Sequence, residues 1–268
     1  MDASRSRRVK YLEVYMVVGI DIGSTTTKAV SLCTNEINCR IKTKASDPIT
    51  SATGIIGKLT LEYGVDIKQI DRIVITGVGA SRIKGNIFNI ETNRIDEITA
   101  IGHGGMYVCN KDKLIITNIG TGTVFIEARK EKIEHIGGTG VGGGTIIGLS
   151  KVLLNTTDFN NILELASKGE LNQVDLLLGD IVDSRISFLD ADATAANCGK
   201  RLDTSKKEDI AAGIINMTYQ VIGMLSVFAA KGKGYSNVAI TGNGSNNKLG
   251  QKVLAAITKM YNITFDVE

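Results

Sequence analysis

Four glycine-rich turns, each placed after an apolar and β-branched segment, are the residues of this sequence best suited to chemistry. They read GSTTTK at 23–28, GTGT at 120–123, GGTGVGGGT at 137–145 and TGNGSNN at 241–247. Glycine at the end of a strand leaves backbone N–H groups open, so that several of them can point at one anion. The third turn also leads into a helical pattern, whose first N–H groups and positive dipole end favour an anion. One such turn is commonly only a turn, but four of them favour phosphate binding.

Two well-known phosphate motifs can be compared with these turns. No GxxxxGK[ST] occurs in the sequence, which excludes a P-loop. Gly138, Gly140 and Gly143 satisfy GxGxxG, the pattern of dinucleotide-binding folds. That pattern belongs after a strand of a parallel βαβ unit, whereas the strand before Gly138 is predicted to lie in a short antiparallel hairpin. The sequence therefore does not favour a dinucleotide site.

The composition indicates a globular chain without a strong charge preference. Hydrophobic residues make up 43% of the 268 residues and there is one proline, which is typical of a folded protein. The 31 basic and 28 acidic residues nearly cancel, so the charge gives no reason to expect nucleic acid. The basic excess lies in SRSRRVK, and residues 1–15 are predicted to form an exposed arm. Membrane or nucleic-acid contact through this arm is the alternative.

The four cysteines and the hydropathy pattern bear on the compartment. Cys33, Cys39, Cys109 and Cys198 form no CxxC pair, and no apolar signal segment opens the chain, so we expect reduced thiols in the cytoplasm. No apolar stretch reaches the length needed to cross a bilayer, which predicts a protein that is not integral to a membrane.

The periodicity of apolar residues predicts two similar series of elements. In the first, strands at 16–23 and 27–33 form a hairpin, and a strand at 37–45, a helix from Pro48 to about Tyr63, a strand at 72–79 and a helix at 94–109 follow. LIITNIGTGT opens the second series with the same strand, glycine turn and strand, followed by a tight turn at Lys130 and Glu131 and a third strand. Helices at 144–155, 159–169, 206–231 and 245–258, and strands in NVAITGNG and ITFDV, complete it. We predict two α/β domains, 16–114 and 115–268, with mixed sheets flanked by helices.

Several of these segments resemble a known family. VVGIDIGSTTTKAV and NIGTGT are similar to the two phosphate loops of the superfamily of actin, hexokinase and the heat-shock ATPases. NIGTGT, HIGGTGVGGGTIIGLS, DATAANCGK and AITGNGSNN, in this order, resemble the type II pantothenate kinases over most of residues 16–268. The resemblance implies a two-domain actin-like ATPase (ribonuclease H-like) fold and ATP-dependent phosphorylation of pantothenate, the first step toward coenzyme A.

The resemblance also implies roles for individual residues. Asp21 would organise Mg²⁺, and ATP would bind between the two domains of a cytoplasmic homodimer. The residues expected to border the nucleotide are Gly23, Ser24, Thr25, Thr26, Lys28, Gly120, Thr121, Gly122, Gly138, Gly140, Gly142, Gly143, Gly144, Gly242 and Asn243. Those expected on the pantothenate side are Thr121, Thr123, His135 and Gly137.

Glu97 is the predicted catalytic base. In IDEITAIGHGG it lies seven residues before Gly104, where the family places the carboxylate that takes the proton of the attacking hydroxyl group. Without the resemblance, a solvated glutamate at a helix start, favoured by the dipole, would be the simpler interpretation.

His135 departs from the family pattern, which often has an arginine before the [VI]GG of the long glycine loop. Imidazole cannot make the bidentate contact of a guanidinium with a carboxylate. The alternative is a half-buried strand residue with an ordinary partner. The sequence ends at Glu268 without the final helix of small residues that such kinases usually add. Acceptor identity therefore stays open.

Two other functions compete with the kinase. GIDIGSTTTKAV, ITGVGASRI and DEITAIGHGG are also similar to the ATPase activators of 2-hydroxyacyl-CoA dehydratases, whose dimers hold an iron–sulfur cluster on paired cysteines. Cys109 and Cys198 lie in no such motif, and Cys198 is predicted to be a small core residue where the kinase pattern has an aromatic one. An ATP-binding regulatory relative without turnover is the other alternative.

Overall fold

The computed structural model describes residues 15–34, 36–182, 190–200 and 204–267. All but the last residue of the predicted arm at 1–15 lies outside the described residues. The chain divides into two compact units, Met1–Ala100 and Ile101–Glu268.

The first unit is a mixed five-stranded sheet with one helix. Its strands are β1 Met16–Ile22, β2 Thr26–Cys33, β3 Glu36–Lys44, β4 Ile70–Thr76 and β5 Thr92–Arg94, and helix α1 is Pro48–Tyr63. The sheet order is β3-β2-β1-β4-β5. β1, β2 and β3 pair antiparallel, whereas β4 is parallel to both β1 and β5. The predicted opening hairpin is therefore confirmed.

Alternating side chains decide which face of β1 carries the core. Val18, Ile20 and Ile22 are buried and belong to one cluster with residues of α1. Side chains alternate between the faces of a strand, so Asp21 points away from this core. Ile55 in α1 is fully buried, and burying a side chain of this size contributes about 1.5–3 kcal/mol. The face of β1 that carries Asp21 therefore lies outside this core.

The second unit repeats a mixed sheet and adds more helices. Helix α2, Glu97–Cys109, connects the two units and is followed by β6 Lys113–Ile119, β7 Thr123–Arg129, β8 Lys132–Thr139, α3 Gly143–Leu154, α4 Phe159–Lys168, β9 Leu176–Leu177, β10 Thr194–Ala196, α5 Lys207–Lys233, β11 Asn237–Thr241, α6 Lys248–Tyr261 and β12 Thr264–Val267. The large sheet has the order β12-β11-β6-β7-β8, and β9 and β10 form a separate pair that was not predicted.

The prediction that no apolar segment is long enough to cross a membrane is wrong, because helix α5 is long enough. It has 27 residues, and by length and composition alone it could span a bilayer, the one helix in the described part of the chain that could. Most of its apolar stretch is buried, because α5 packs in the core of the second unit. Tyr219 shows this: it is 1% exposed, and its hydroxyl group donates to the carbonyl of Gly244 at 2.7 Å.

Two helix starts differ from the sequence prediction by three residues. α2 begins at Glu97 and not at 94, because Thr92–Arg94 joins the sheet as β5. α6 begins at Lys248 and not at 245, because Asn243–Asn246 forms a short 3-10 turn.

The division between the two units lies in the connecting helix. It falls inside α2, after Ala100. An added Cβ at Gly102 would lie 2.6 Å from the Ile133 side chain, and one at Gly105 would lie 2.4 Å from Ile116. This glycine face lets the rest of α2 pack closely on the second sheet.

Candidate functional site

Asp21 and Lys28 form the first polar pair of the site. They are directly opposite each other in β1 and β2, and Lys28 Nζ lies 3.1 Å from Asp21 Oδ2. Their side chains are 33% and 38% exposed. The pair is therefore a surface ion pair of small energetic value, which leaves both groups available to a ligand.

Gly77 lets the end of β4 approach this pair. It has a φ of +86°, and a Cβ added there would lie 2.5 Å from Asp21 Oδ1 and 2.8 Å from the carbonyl oxygen of Ile22. Any other residue at 77 would thus displace the carboxylate as well as strain the backbone. The sequence motif ITGVGASRI contained this residue, but the motif alone did not place it beside Asp21.

Glu97 is electrostatically coupled to the pair. Loss of solvation raises the pKa of Glu97, the negative charge of Asp21 raises it further, and Lys28 opposes both effects. Glu97 is the first residue of α2, and its side chain keeps access to solvent. A carboxyl group with a raised pKa beside a second carboxylate is a stronger base than an ordinary glutamate, so the position suits proton transfer.

Asp96 caps the start of α2, so that Glu97 is the first residue of the helix. The Thr99 hydroxyl group and the Thr99 backbone N–H, at 2.9 Å, both donate to the Asp96 carboxylate. These bonds lower the pKa of Asp96, so that the cap stays charged. The sequence prediction missed this residue, although Asp-x-x-Thr at a helix start is a signal that could have revealed it.

The turn between β1 and β2 carries the remaining predicted residues of the first unit. Gly23 N–H donates to the Thr26 carbonyl at 3.2 Å, and an added Cβ at Gly23 would lie 2.7 Å from that oxygen. Ser24 and Thr25 are exposed at the tip. The structure thus brings together a tight turn, two exposed hydroxyl groups and the Asp21–Lys28 pair at one end of the first sheet.

The second unit repeats this backbone arrangement with different side chains. Gly242 follows β11 with a φ of +88°, and its added Cβ would lie 2.8 Å from Asn118 Oδ1 at the end of β6. Thr241 Oγ1 donates to the same Asn118 oxygen at 3.0 Å. Asn243, predicted to border the nucleotide, lies in the 3-10 turn that follows. An amide therefore occupies the place of the Asp21 carboxylate, and a threonine hydroxyl group donates to it.

The two central glycine turns pack on each other. An added Cβ at Gly142 would lie 2.7 Å from the Thr121 carbonyl oxygen and 2.8 Å from Gly122 Cα, and one at Gly122 would lie 2.9 Å from the Thr139 oxygen. Gly144 is similarly close, because its added Cβ would lie 2.8 Å from Thr121 Cγ2. Close contact between the turns therefore explains several glycines before any ligand is considered.

This packing uses N–H groups that the sequence suggested for an anion. Gly143 N–H donates to the Gly120 carbonyl at 2.9 Å, and Gly144 N–H donates to the Thr121 carbonyl at 2.8 Å. The first amides of α3 are thus paired inside the protein. Within the described part of the chain, no carbonyl accepts from the N–H groups of Thr121 and Gly122, which lie at the tip of the turn.

Thr123 supports the long glycine loop. Its hydroxyl group is buried and donates to the Val141 carbonyl at 2.8 Å. Gly140 accepts a hydrogen bond of 2.9 Å from the Thr145 hydroxyl group, which also accepts from Gly142 N–H at 3.1 Å. Thr123 therefore supports the loop, and its contact with the acceptor stays a prediction.

His135 lies on an irregular part of β8. The register of β7 and β8 shifts so that Ile126 faces His135 and Phe125 faces Gly137, which leaves Ile136 as an extra residue. A Cβ added at Gly138 would lie 3.9 Å from the His135 ring nitrogen Nε2. The side chain of His135 is exposed, so the alternative of a half-buried strand residue is wrong.

A buried carboxylate in the second unit was not predicted. Asp175 is fully buried, and its Oδ2 accepts from Asn216 at 2.7 Å, Asn197 at 3.2 Å and Thr194 at 3.3 Å. Cys198 N–H donates to Oδ1 at 2.8 Å. This network fixes DATAANCGK against α5.

Cys198 itself is exposed, so the prediction of a core cysteine is wrong. Its backbone N–H is bonded to Asp175, and its φ is +53°.

For a magnesium ion the site offers one protein ligand, the Asp21 carboxylate, and not a full coordination sphere. No group of three or more His, Cys, Asp or Glu residues capable of holding a metal occurs among the described residues. Mg²⁺ usually keeps several waters and binds one or two carboxylates together with substrate phosphates. The partly exposed Asp21 carboxylate, with a turn suited to phosphates beside it, fits that mode.

Solved structures share the fold at low sequence identity. The activator of the 2-hydroxyisocaproyl-CoA dehydratase from Clostridium difficile with bound ADPNP has a TM-score of 0.63 at 18% identity, covering 94% of this chain and 88% of that one. A ROK hexokinase from Thermus thermophilus has a TM-score of 0.54 at 10% identity, covering 94% and 92%. These similarities confirm the predicted two-domain actin-like ATPase fold, with mixed sheets flanked by helices.

Sequence comparison is more specific. The family model described as Fumble matches residues 113–263. A type II pantothenate kinase of Bacillus anthracis is 30% identical over 263 residues, which cover 92% of this chain and 90% of that protein. The chain therefore belongs to the Fumble family and, through its sequence relatives, to the family of type II pantothenate kinases.

Proposed function

We propose that the protein transfers the γ-phosphoryl group of ATP to a hydroxyl group of pantothenate. The observation that carries this proposal is Glu97, whose pKa is raised by loss of solvation and by Asp21 at the end of the first sheet. A relative named for this activity shares 30% identity over nine-tenths of the chain. Family membership and a base with suitable electrostatics thus support the same reaction.

Each residue has a defined task in this reaction. As the acceptor oxygen forms its bond to the γ-phosphorus, the bond from that phosphorus to ADP breaks and the proton of the hydroxyl group passes to Glu97. Lys28 leaves its exposed pair with Asp21 to contact the phosphates, with Ser24, Thr25 and Thr26 beside it. Magnesium, when bound with ATP, would supply neutralisation of the phosphate charge, and Asp21 is the carboxylate that would hold it.

The second unit is proposed to bind phosphates through the tip of its first glycine turn. The N–H groups of Thr121 and Gly122 are the open donors there, whereas Gly143 and Gly144 hold the tip in place through their bonds to its carbonyls. Gly242 and Asn243 are proposed to border the rest of the nucleotide. We propose that the protein acts in the cytoplasm as a homodimer.

A panel of acceptors tests the substrate. Purified protein with ATP and Mg²⁺ should convert pantothenate to a phosphorylated product, detected by mass spectrometry, in preference to pantetheine, glycerol and hexoses. A protein that binds ATP but phosphorylates no member of the panel would support a regulatory role. Protein purified without oxygen that carries iron and labile sulfide would instead support the dehydratase activator.

His135→Arg tests the acceptor side of the site. His135 is exposed beside the glycines of the long loop, and arginine adds a planar, permanently charged donor for a carboxylate. We expect a several-fold lower KM for pantothenate with little change in the KM for ATP. His103→Arg, in α2, is the matched control. An unchanged pantothenate KM in His135→Arg would place the acceptor carboxylate elsewhere.

A further inference from the structure

The hydroxyl group of Thr76 is buried at the end of β4 with no hydrogen-bond partner in the described part of the chain. A buried hydroxyl group without a partner has lost its hydrogen bonds to water without replacement, which is unfavourable, so its persistence requires a reason. Thr76 is the register neighbour of Asp21 in the parallel pair of β4 and β1. Neighbouring strands lie about 4.8 Å apart, and register partners point to the same face, so Thr76 lies beside the Asp21 carboxylate.

In the second unit, the threonine at the equivalent position, Thr241, does make a hydrogen bond. Thr241 is the register neighbour of Asn118 in the parallel pair of β11 and β6, and Thr241 Oγ1 donates to Asn118 Oδ1 at 3.0 Å. The following glycines, Gly77 and Gly242, have nearly equal φ values of +86° and +88°. The backbone frame is thus repeated, and only the hydrogen bond differs.

The ion pair with Lys28 accounts for the difference. Lys28 Nζ lies 3.1 Å from Asp21 Oδ2, so that the carboxylate already has a charged partner, whereas Asn118 faces Val124 and has none. When Lys28 moves to the phosphates, Asp21 loses this partner. A rotation about χ1 then allows the Thr76 hydroxyl group to donate to Asp21, as Thr241 does to Asn118.

We infer that Thr76 is a positioning residue: when Lys28 contacts phosphate, the Thr76 hydroxyl group replaces it as the hydrogen-bond donor to Asp21. This bond holds the carboxylate in the orientation in which it receives magnesium with ATP. The inference rests on the proposed use of ATP with magnesium. It assigns a role to a residue outside the proposed nucleotide and acceptor contacts.

A double-mutant cycle tests the exchange of partners without any ligand. Thr76→Val in the otherwise unchanged protein should leave the melting temperature the same or raise it, because it replaces an unsatisfied hydroxyl group by a methyl group. In a Lys28→Met background, Thr76→Val should instead lower the melting temperature by about 2–4 °C, since the hydroxyl group then bonds Asp21. Equal effects of Thr76→Val in both backgrounds would overturn the inference.

Metal binding provides the second measurement. Calorimetry with ATP and Mn²⁺ as the probe should show several-fold weaker metal-dependent binding for Thr76→Val, and Thr76→Ser should restore it. The control is Thr27→Val, which removes an equally unsatisfied hydroxyl group from the opposite face of the same sheet. Wild-type protein that binds no ATP with metal would refute the proposed function, but the melting-temperature cycle would still decide the role of Thr76. Failure of Thr76→Ser to restore binding would contradict the inference.

Discussion

The backbone has the same arrangement at the ends of the two large sheets, but the side chains there differ. Asp21 is the second-last residue of β1 and Gly77 follows β4, just as Asn118 is the second-last residue of β6 and Gly242 follows β11. The next glycines also correspond, because added Cβ atoms at Gly79 and Gly244 would each lie 2.3 Å from an isoleucine Cγ2, that of Ile22 or Ile119.

What differs is the side chain opposite the end of the first strand. In the first unit Lys28 faces Asp21, and in the second unit Val124 faces Asn118. The backbone frame therefore serves a charged site in one unit and a neutral turn in the other. The frame is a packing solution shared by both units, and a few register positions decide whether it holds a charged pair or a neutral amide.

The largest expected effect comes from removing Glu97, the proposed base, which belongs to the charged site. Glu97→Gln should lower kcat roughly a hundredfold or more and leave ATP affinity nearly unchanged, since a base acts on the transition state. The raised pKa of Glu97 also predicts that kcat falls with acid at a higher pH than for an ordinary glutamate. Glu62→Gln, on the exposed side of α1, is the control. Normal turnover of Glu97→Gln would show that another group accepts the proton.

Exchanging the two end residues tests the comparison directly. Asp21→Asn makes the first unit resemble the second and should lower kcat with magnesium on the order of a hundredfold, because the carboxylate for the metal is lost. Asn118→Asp places a negative charge beside a turn that we propose to bind phosphate, and should weaken ATP binding about tenfold. Calorimetry and steady-state kinetics separate the two results. Equal consequences for both variants would show that the units do not differ in the proposed way.

A smaller effect should follow from separating the central turns of the second unit. Gly142→Ala would place a methyl group 2.7 Å from the Thr121 carbonyl oxygen, so the turns must move apart and the open amides of the tip must shift. We expect a lower melting temperature together with several-fold weaker ATP binding. Gly148→Ala, in α3 with nothing within 4 Å of the added atom, should keep both properties. Unchanged ATP binding in Gly142→Ala would separate this packing from nucleotide binding.

The smallest effect concerns acid stability, where the hairpins of the two units differ. Hydrogen bonds and charge from Lys132 and Lys233 lower the pKa of Glu134 in β8 from 4.5 to about 2. Because the folded pKa lies below the unfolded one, this contribution is complete above about pH 4.5 and is lost as the pH falls toward 2. Lys233→Met should therefore make the acid dependence of the unfolding free energy shallower.

Urea unfolding between pH 2 and 5 measures this slope. Lys58→Met removes a comparable surface pair with Glu62 in the first unit and serves as the control. The pair at Glu134 is exposed to solvent, so the change should be small. A slope that stays the same in Lys233→Met would assign the acid sensitivity to carboxylates that do not contact Lys233, which excludes the buried Glu127 as well as Glu134.

Much of the fold could be predicted because its signals are local. The period of two in MVVGIDI, the proline at position 48 and the two series of strand, glycine turn and strand depend on neighbouring residues only. The predicted α1 is confirmed with its bounds, since Asp47 caps its start and Gly64, with a φ of +69°, ends it. The prediction for α2 was three residues early, because the competing strand Thr92–Arg94 depends on β4, a distant segment.

The sequence by itself determined which residues could do chemistry: a carboxylate and a lysine at the end of a hairpin, a glutamate before a glycine-rich helix, and turns with open backbone donors. Only the tertiary structure decided how those donors are used. The amides of Gly143 and Gly144 are paired with Gly120 and Thr121, and the Thr76 hydroxyl group beside Asp21 has no hydrogen-bond partner among the described residues. The physical reason is that these contacts join residues far apart in the chain, and their register is fixed by sheet pairing and by close packing between glycines.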